Sequence, residues 1–83
     1  MSGADLSQVS MLDLFCMETE TQAQVLTAAL LVLERDPAAA DQLELCMRAA
    51  HSLKGAARIV GLGVGVRVAH AMEDCFVAAQ VGQ

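Results

Sequence analysis

Residues 49–61 read AAHSLKGAARIVG, a run rich in alanines and aliphatic side chains in which His51, Lys54 and Gly55 lie close together. The alanine content and the absence of proline favour a helix. His51 and Lys54 are three residues apart and lie on one side of it, and Gly55 removes a side chain next to the imidazole. Because glycine in a helix costs about 1 kcal/mol relative to alanine, we expect something to approach His51 closely.

The composition of the whole chain predicts a single small all-α domain. The chain has 83 residues, 55% of them hydrophobic and only two of them phenylalanine, so its core must consist of small and unbranched groups that favour helices. The net charge of −5 argues against a nucleic-acid interface, which would need a basic face. Three cysteines without CxxC spacing indicate neither a disulfide framework nor a zinc site.

Three helices are predicted after a flexible N-terminus. The N-terminus covers residues 1–9 and the helices cover about 10–35, 37–60 and 63–80. Ser10 is a candidate N-cap of the first helix, and Asp36 is a candidate cap of the second, with Pro37 in its first turn. Glycines mark the second connection. The short connections predict that successive helices pack antiparallel.

Each predicted helix carries an apolar stripe at helical spacing. The stripes comprise Leu12, Phe15, Leu26, Ala29, Leu30 and Leu33; Leu43, Cys46, Met47, Ala50, Leu53 and Ala57; and Leu62, Gly65, Val66, Ala69, Met72 and Phe76. His51 lies about 100° from the centre of its stripe and is expected to be half-buried. Glu73 lies about 40° from the centre of its stripe, so its carboxylate needs a partner.

Two polar pairs with the same three-residue spacing are expected to meet across the second and third helices. They are His51 with Lys54, and His70 with Glu73. Glu73 would accept a hydrogen bond from Nδ1 of His51, fix the tautomer and leave Nε2 as a nucleophile, unless Glu73 reaches solvent or pairs with Arg58 or Arg67. Lys54 would stabilise an incoming phosphoryl group. His70 would either support the cluster or lie at the edge of the bundle.

The segments HSLKGAARIVG and VAHAMED together resemble the histidine phosphotransfer (HPt) domain of CheA-type chemosensory kinases. In that family an HxxKG motif on the second helix is followed by a histidine and a glutamate on the third. His51, Lys54, Gly55, His70 and Glu73 occupy these places. The resemblance covers about residues 10–80, and the segment LFCMETETQAQVLTAALLVLE is similar to the hybrid kinases of Wsp-type surface-signalling systems.

The resemblance implies a role in two-component signalling. His51 would take the γ-phosphoryl group of ATP from a separate catalytic domain of the same protein and pass it to an aspartate of a response-regulator receiver domain. Gly55 and Arg58 would face that partner. The chain itself would bind no cofactor, because its GxGxG at positions 61–65 follows a helix instead of a strand and is assigned to a turn.

The resemblance also implies a four-helix bundle, of which three helices are present here and the fourth is missing. The open groove would expose an apolar patch of several hundred Å². We therefore expect a dimer, formed by docking two units through this groove or by exchanging the long first helix.

Two functions without phosphotransfer stay open. One is a helical oligomerisation module. The other is a metal-binding bundle that uses His51, His70, Glu73 and a cysteine, although Cys46 and Cys75 fall on different faces from the histidines. The longest apolar segment, VLTAALLVL, is too short to span a membrane, and with no signal sequence apparent a cytoplasmic location is expected.

Overall fold

The computed structural model of the chain describes residues 3–82, with side chains from Ser10 onward. Three α-helices account for nearly all of it: α1 at Gly3–Arg35, α2 at Ala40–Ile59 and α3 at Gly63–Val81. No strand occurs over the described residues. The predicted all-α class is confirmed.

The first helix begins earlier than predicted. Ser10 lies inside α1, so its assignment as an N-cap was wrong. The physical reason is that no proline or glycine occurs between Ala4 and Arg35, and the helix extends back to Gly3. Residues 1 and 2 lie outside the described residues, and the flexibility expected of residues 1–9 stays a prediction.

Asp36 forms a turn and does not cap α2. Its carboxylate oxygen Oδ1 accepts a hydrogen bond from the amide of Ala38 at 3.2 Å, and its carbonyl accepts one from the amide of Ala39 at 3.1 Å. An aspartate that bonds the backbone two residues ahead stabilises a turn of this kind. As a result α2 starts only at Ala40, with Ala39 in the N-cap position and no side-chain cap, and Pro37 precedes the helix.

Gly61 ends α2 and reverses the chain. It has a φ of +73°, a left-handed conformation that suits glycine. The amides of Gly61 and Leu62 donate to the carbonyls of Arg58 and Ala57, at 3.1 and 2.8 Å, which is the hydrogen-bond pattern of a Schellman motif. Gly65 has a different role from the predicted turn residue. It lies within α3, where an added Cβ would come within 3.1 Å of the Ala57 Cβ.

The middle helix, α2, holds the other two in place. Both α1 and α3 pack on α2, whereas the α1 and α3 backbones do not approach each other over the described residues. Ala57 faces Gly65, and His51 faces Glu73. Residues later in α2 therefore contact residues earlier in α3. These two helices are therefore antiparallel, as predicted. The result is an elongated layer of 53 × 20 × 14 Å.

The core is small and consists mainly of alanine, leucine and cysteine. The buried residues are Leu26, Ala29, Leu43, Cys46, Ala49, Ala50, Ala57 and Ala69. Around them pack the half-buried side chains of Val25, Leu33, Leu53, Met72 and Phe76. The predicted stripes are thus largely confirmed, but Ala49 was missed. Leu12, Leu30 and Leu62 are exposed because the three described helices form a single layer that leaves these side chains uncovered. Among the described helices, none combines the length and apolarity that crossing a membrane requires.

Candidate functional site

A hydrogen-bonded triad joins α2 and α3. Nδ1 of His51 lies 2.8 Å from Oε2 of Glu73, and Nζ of Lys54 donates to Oε1 of the same carboxylate at 2.7 Å. The three-residue spacing on α2 places His51 and Lys54 one turn apart on one side of the helix, so that one carboxylate on α3 reaches both. The predicted contact between His51 and Glu73 is present, and neither Arg58 nor Arg67 is the partner of Glu73.

The charge of Glu73 determines the tautomer of His51. Hydrogen bonds from Lys54 and then from His51 hold the pKa of the Glu73 carboxyl below its ordinary value of 4.5. The carboxylate is therefore ionised at neutral pH, and an ionised carboxylate only accepts hydrogen bonds. It follows that Nδ1 of the neutral imidazole carries the proton and donates it to Glu73, whereas Nε2 keeps its lone pair.

Burial differs sharply between the members of the triad. The His51 side chain is 72% exposed, whereas those of Glu73 and Lys54 are only 21% and 14% exposed. His51 is more exposed than predicted, because neither α1 nor α3 covers the side of α2 from which it projects. The triad thus presents an oriented ring to solvent and keeps the ion pair that orients it largely protected.

Lys54 does something that the sequence did not indicate. Its ammonium group is bonded to Glu73, so it holds the carboxylate that in turn holds His51. Its predicted contact with a phosphoryl group stays a prediction. The inward position of Glu73 was predicted, but not its consequence that a carboxylate there needs a cation as well as the imidazole.

His70 lies apart from this triad. Its Nε2 is 3.4 Å from Oδ2 of Asp74, one turn further along α3, and its side chain is 57% exposed. Within the described residues it has no hydrogen bond to His51 or Glu73. Of the two positions that the sequence left open for His70, the structure shows the exposed one at the edge of the bundle, where His70 forms no common cluster with the triad.

The exposed imidazole borders a groove of about 480 Å³ between α2 and α3. Its lining comprises Met47, Arg48, His51, Ser52, Glu73, Asp74 and Val77. Arg48 and Asp74 were not predicted to be near the site. Their positions in the sequence could have indicated this, because Arg48 is three residues before His51 on the same helix and Asp74 is next to Glu73.

Gly55 lies one turn beyond His51, beside open space. A Cβ built on it meets no atom within 4 Å. Its small size is therefore not needed for packing within this chain, although it weakens the helix. Arg58 is exposed further along α2.

No group of three histidine, cysteine, aspartate or glutamate side chains among the described residues has a geometry that could hold a metal ion. Cys46 is buried in the core, where burial raises the pKa of its thiol, and Cys16 and Cys75 are exposed elsewhere. The structure thus brings His51 and Glu73 together without the further ligand that the metal-binding hypothesis needs.

Comparison with known proteins agrees with this geometry. Residues 10–83 match the family described as the Hpt domain. The chain belongs to the Hpt domain family. This Hpt domain is a phosphotransfer module of two-component signalling.

A relative of known identity supports the same conclusion. The chemotaxis protein CheA of Treponema pallidum (strain Nichols) is 37% identical to this Hpt domain over 70 residues, which is 84% of the chain. The match covers only 9% of that protein, so the chain spans a small part of its relative's length. No solved structure matches the chain.

We predict that Glu73→Gln destabilises the Hpt domain at pH 7 and has a progressively smaller effect in acid. The Glu73 pKa is lowered on folding, so its contribution to the free energy of unfolding is present above pH 4.5 and is lost as the pH falls through the lowered value. Urea unfolding of both proteins from pH 7 downward measures the difference. Glu44→Gln, which removes an exposed carboxylate, is the control and should have little effect. A difference that stays constant far below pH 4.5 would contradict the ion-pair role.

Proposed function

We propose that His51 is the phosphoryl-accepting residue of a chemosensory kinase. It would receive the γ-phosphoryl group of ATP from a catalytic domain elsewhere in the same longer protein and pass it to a receiver-domain aspartate. The observation that carries this proposal is the 2.8 Å contact between Nδ1 of His51 and Glu73, which leaves Nε2 of an exposed ring unprotonated. We infer a cytoplasmic location, because the proposed donor is ATP.

The first half of the reaction uses the lone pair of Nε2. It attacks the γ-phosphorus of ATP, a P–N bond forms, the bond from the γ-phosphorus to the bridging oxygen breaks, and ADP leaves with the electron pair. Positive charge develops on the imidazole in this step. Glu73 stabilises it by accepting the hydrogen bond from Nδ1–H, and Lys54 keeps Glu73 in position.

The second half of the reaction returns the histidine to its starting state. A carboxylate oxygen of the receiver aspartate attacks the phosphorus, the P–N bond breaks, and its electron pair goes back to Nε2. Nδ1 keeps its proton throughout, so neither step needs a proton from solvent. Because His51 projects from the surface, a concave receiver site can reach it.

ATP itself would bind to the separate catalytic domain, and we propose that this chain needs no bound cofactor. Its glycines at 61, 63 and 65 are used in another way. Gly61 reverses the chain and Gly65 packs against Ala57, so these residues do not form a phosphate-binding loop.

His51→Gln should abolish phosphoryl uptake. The chain is incubated with labelled ATP and the catalytic domain of a CheA-type kinase, and wild-type protein should acquire a label that is labile in acid and stable in alkali, as expected of a P–N bond. His70→Gln is the matched control and should keep its label, since His70 lies outside the triad. Persistent labelling of His51→Gln would show that another residue is the acceptor.

The open space beside Gly55 supports an approach of the receiver from this side. A Cβ here would meet no atom within 4 Å among the described residues, and a larger side chain would project towards a partner that docks on His51. Gly55→Leu should therefore fold and take up label normally but lose transfer to the receiver. Gly55→Ala should fold more stably by about 0.5–1 kcal/mol and transfer at an intermediate rate. Normal transfer by Gly55→Leu would place the receiver elsewhere, and Arg58 would then lose its proposed role at the same interface.

The finer assignment to a Wsp-type system is also a proposal, supported by the amino-acid sequence of residues 14–34 in α1. It predicts faster phosphotransfer to receivers of surface-signalling systems than to those of chemotaxis systems. Equal rates, measured with purified receivers of both kinds, would remove this assignment.

The proposal that the chain forms a dimer is also supported by a surface of α3 that differs from the open groove and the exchanged first helix expected from the sequence. On the side away from α2, exposed small or apolar residues recur every three or four positions, as in a coiled-coil seam. They are Val64, Val68, Ala71, Cys75 and Ala78. Covering a patch of a few hundred Å² is worth several kcal/mol at roughly 25 cal/mol per Å². A second copy, docked about a two-fold axis, supplies a stripe of the same kind.

Sedimentation equilibrium tests this self-association. The wild-type chain should approach twice its monomer mass of 8.7 kDa as concentration rises, and Val68→Glu should shift the equilibrium towards monomer by placing charges in the seam. Val32→Glu, at an exposed position on α1, is the control. A wild-type chain that stays monomeric at millimolar concentration would contradict the dimer.

A further inference from the structure

The groove beside His51 contains an unusual balance of charge for a site that accepts a phosphoryl group. From α3 it receives the carboxylates of Glu73 and Asp74, and from α2 the guanidinium of Arg48. Lys54 pairs with Glu73, and His70 pairs with Asp74. A phosphoryl group adds a charge of about −1.5 to −2 at neutral pH, so it needs a cation that is free to move.

Lys54 is poorly suited to be that cation. Its ammonium is bonded to Glu73 at 2.7 Å, and its side chain is only 14% exposed. If it turned towards a phosphoryl group, it would leave a largely buried carboxylate without its cation and weaken the hold on His51. We therefore expect Lys54 to stay bonded to Glu73.

Arg48 meets the requirements that Lys54 does not. It lies one turn before His51 on the same side of α2, it lines the groove, and its side chain is 73% exposed. Side chains on a helix lean towards its N-terminus, so the imidazole of His51 leans over the turn from which Arg48 projects. In this structure the guanidinium pairs with Glu44, another exposed side chain of α2. An exposed ion pair of this kind is weak and easily exchanged.

We propose that Arg48 is a phosphoryl-binding residue that exchanges Glu44 for the phosphoryl group once Nε2 of His51 carries it. The inference rests on the proposed function of His51. The planar guanidinium can donate two parallel N–H hydrogen bonds to phosphate oxygens. The dianionic phosphoryl group is a better acceptor for these bonds than the singly charged carboxylate of Glu44. The exchange stabilises the phosphorylated state and leaves the triad intact. It also frees the Glu44 carboxylate on the exposed side of α2, so the surface that a receiver meets differs between the two states.

A phosphorus NMR titration tests this role without any partner protein. The chain is phosphorylated with phosphoramidate, which transfers its phosphoryl group to the imidazole and releases ammonia. The ionisation of the bound phosphoryl group from its monoanion to its dianion is then followed by the phosphorus chemical shift. A guanidinium that contacts the phosphoryl group favours its dianion, so Arg48→Gln should raise the pH midpoint of this ionisation by about half a pH unit. The shift is small because the site is exposed to solvent, which weakens charge interactions. Arg48→Lys should give an intermediate value.

Arg67→Gln, on α3 and outside the groove, removes the same charge and should leave the midpoint unchanged. Glu44→Gln should lower it, because Arg48 then has no competing partner. Identical midpoints in wild type and Arg48→Gln, both phosphorylated, would overturn the role of Arg48 alone. Failure of wild type to take up phosphoryl on His51 from either phosphoramidate or the kinase would overturn the proposed function and this inference together.

Discussion

The carboxylate of Glu73 is the group on which the proposed chemistry of this domain depends. It is held between an ammonium on one oxygen and an imidazole on the other, across the interface of two helices. Either bond alone would leave part of a half-buried carboxylate without a partner. With both, the carboxylate stays ionised and gives His51 one tautomer and one orientation. In the proposed reaction, the nucleophilic nitrogen of His51 is thus selected by a carboxylate that would not touch the phosphoryl donor.

The packing of α2 against α3 makes this contact feasible. Ala57 and Gly65 meet at the end of the interface near the turn, where even one added methyl group would be crowded. Small residues along the same face, Cys46 and Ala50 among them, are almost fully buried. Close helix packing brings Glu73 within reach of both side chains on α2. The low aromatic content that first indicated an all-α chain therefore also determines the spacing of the site.

The sequence predicted those parts of the structure that follow from helical periodicity. The inward position of Glu73, its contact with His51 and the central stripe of α2 are set by spacing along a helix. It failed where several partners compete for one group. Asp36 bonds within its own turn instead of capping α2, and the bond from Lys54 to Glu73 and the pairing of His70 with Asp74 were not predicted. Such choices depend on rotamers and on the angle between helices, which periodicity does not determine.

The most direct test of this account is the tautomer of His51. Long-range correlation of the ring protons with both ring nitrogens, on ¹⁵N-labelled protein at a pH where the ring is neutral, distinguishes Nδ1–H from Nε2–H. The account predicts that Nδ1 carries the proton in the wild-type chain, and that the preference is lost in Glu73→Gln. A neutral ring protonated on Nε2 in the wild type would contradict it, because the exposed nitrogen would then have no lone pair with which to accept a phosphoryl group.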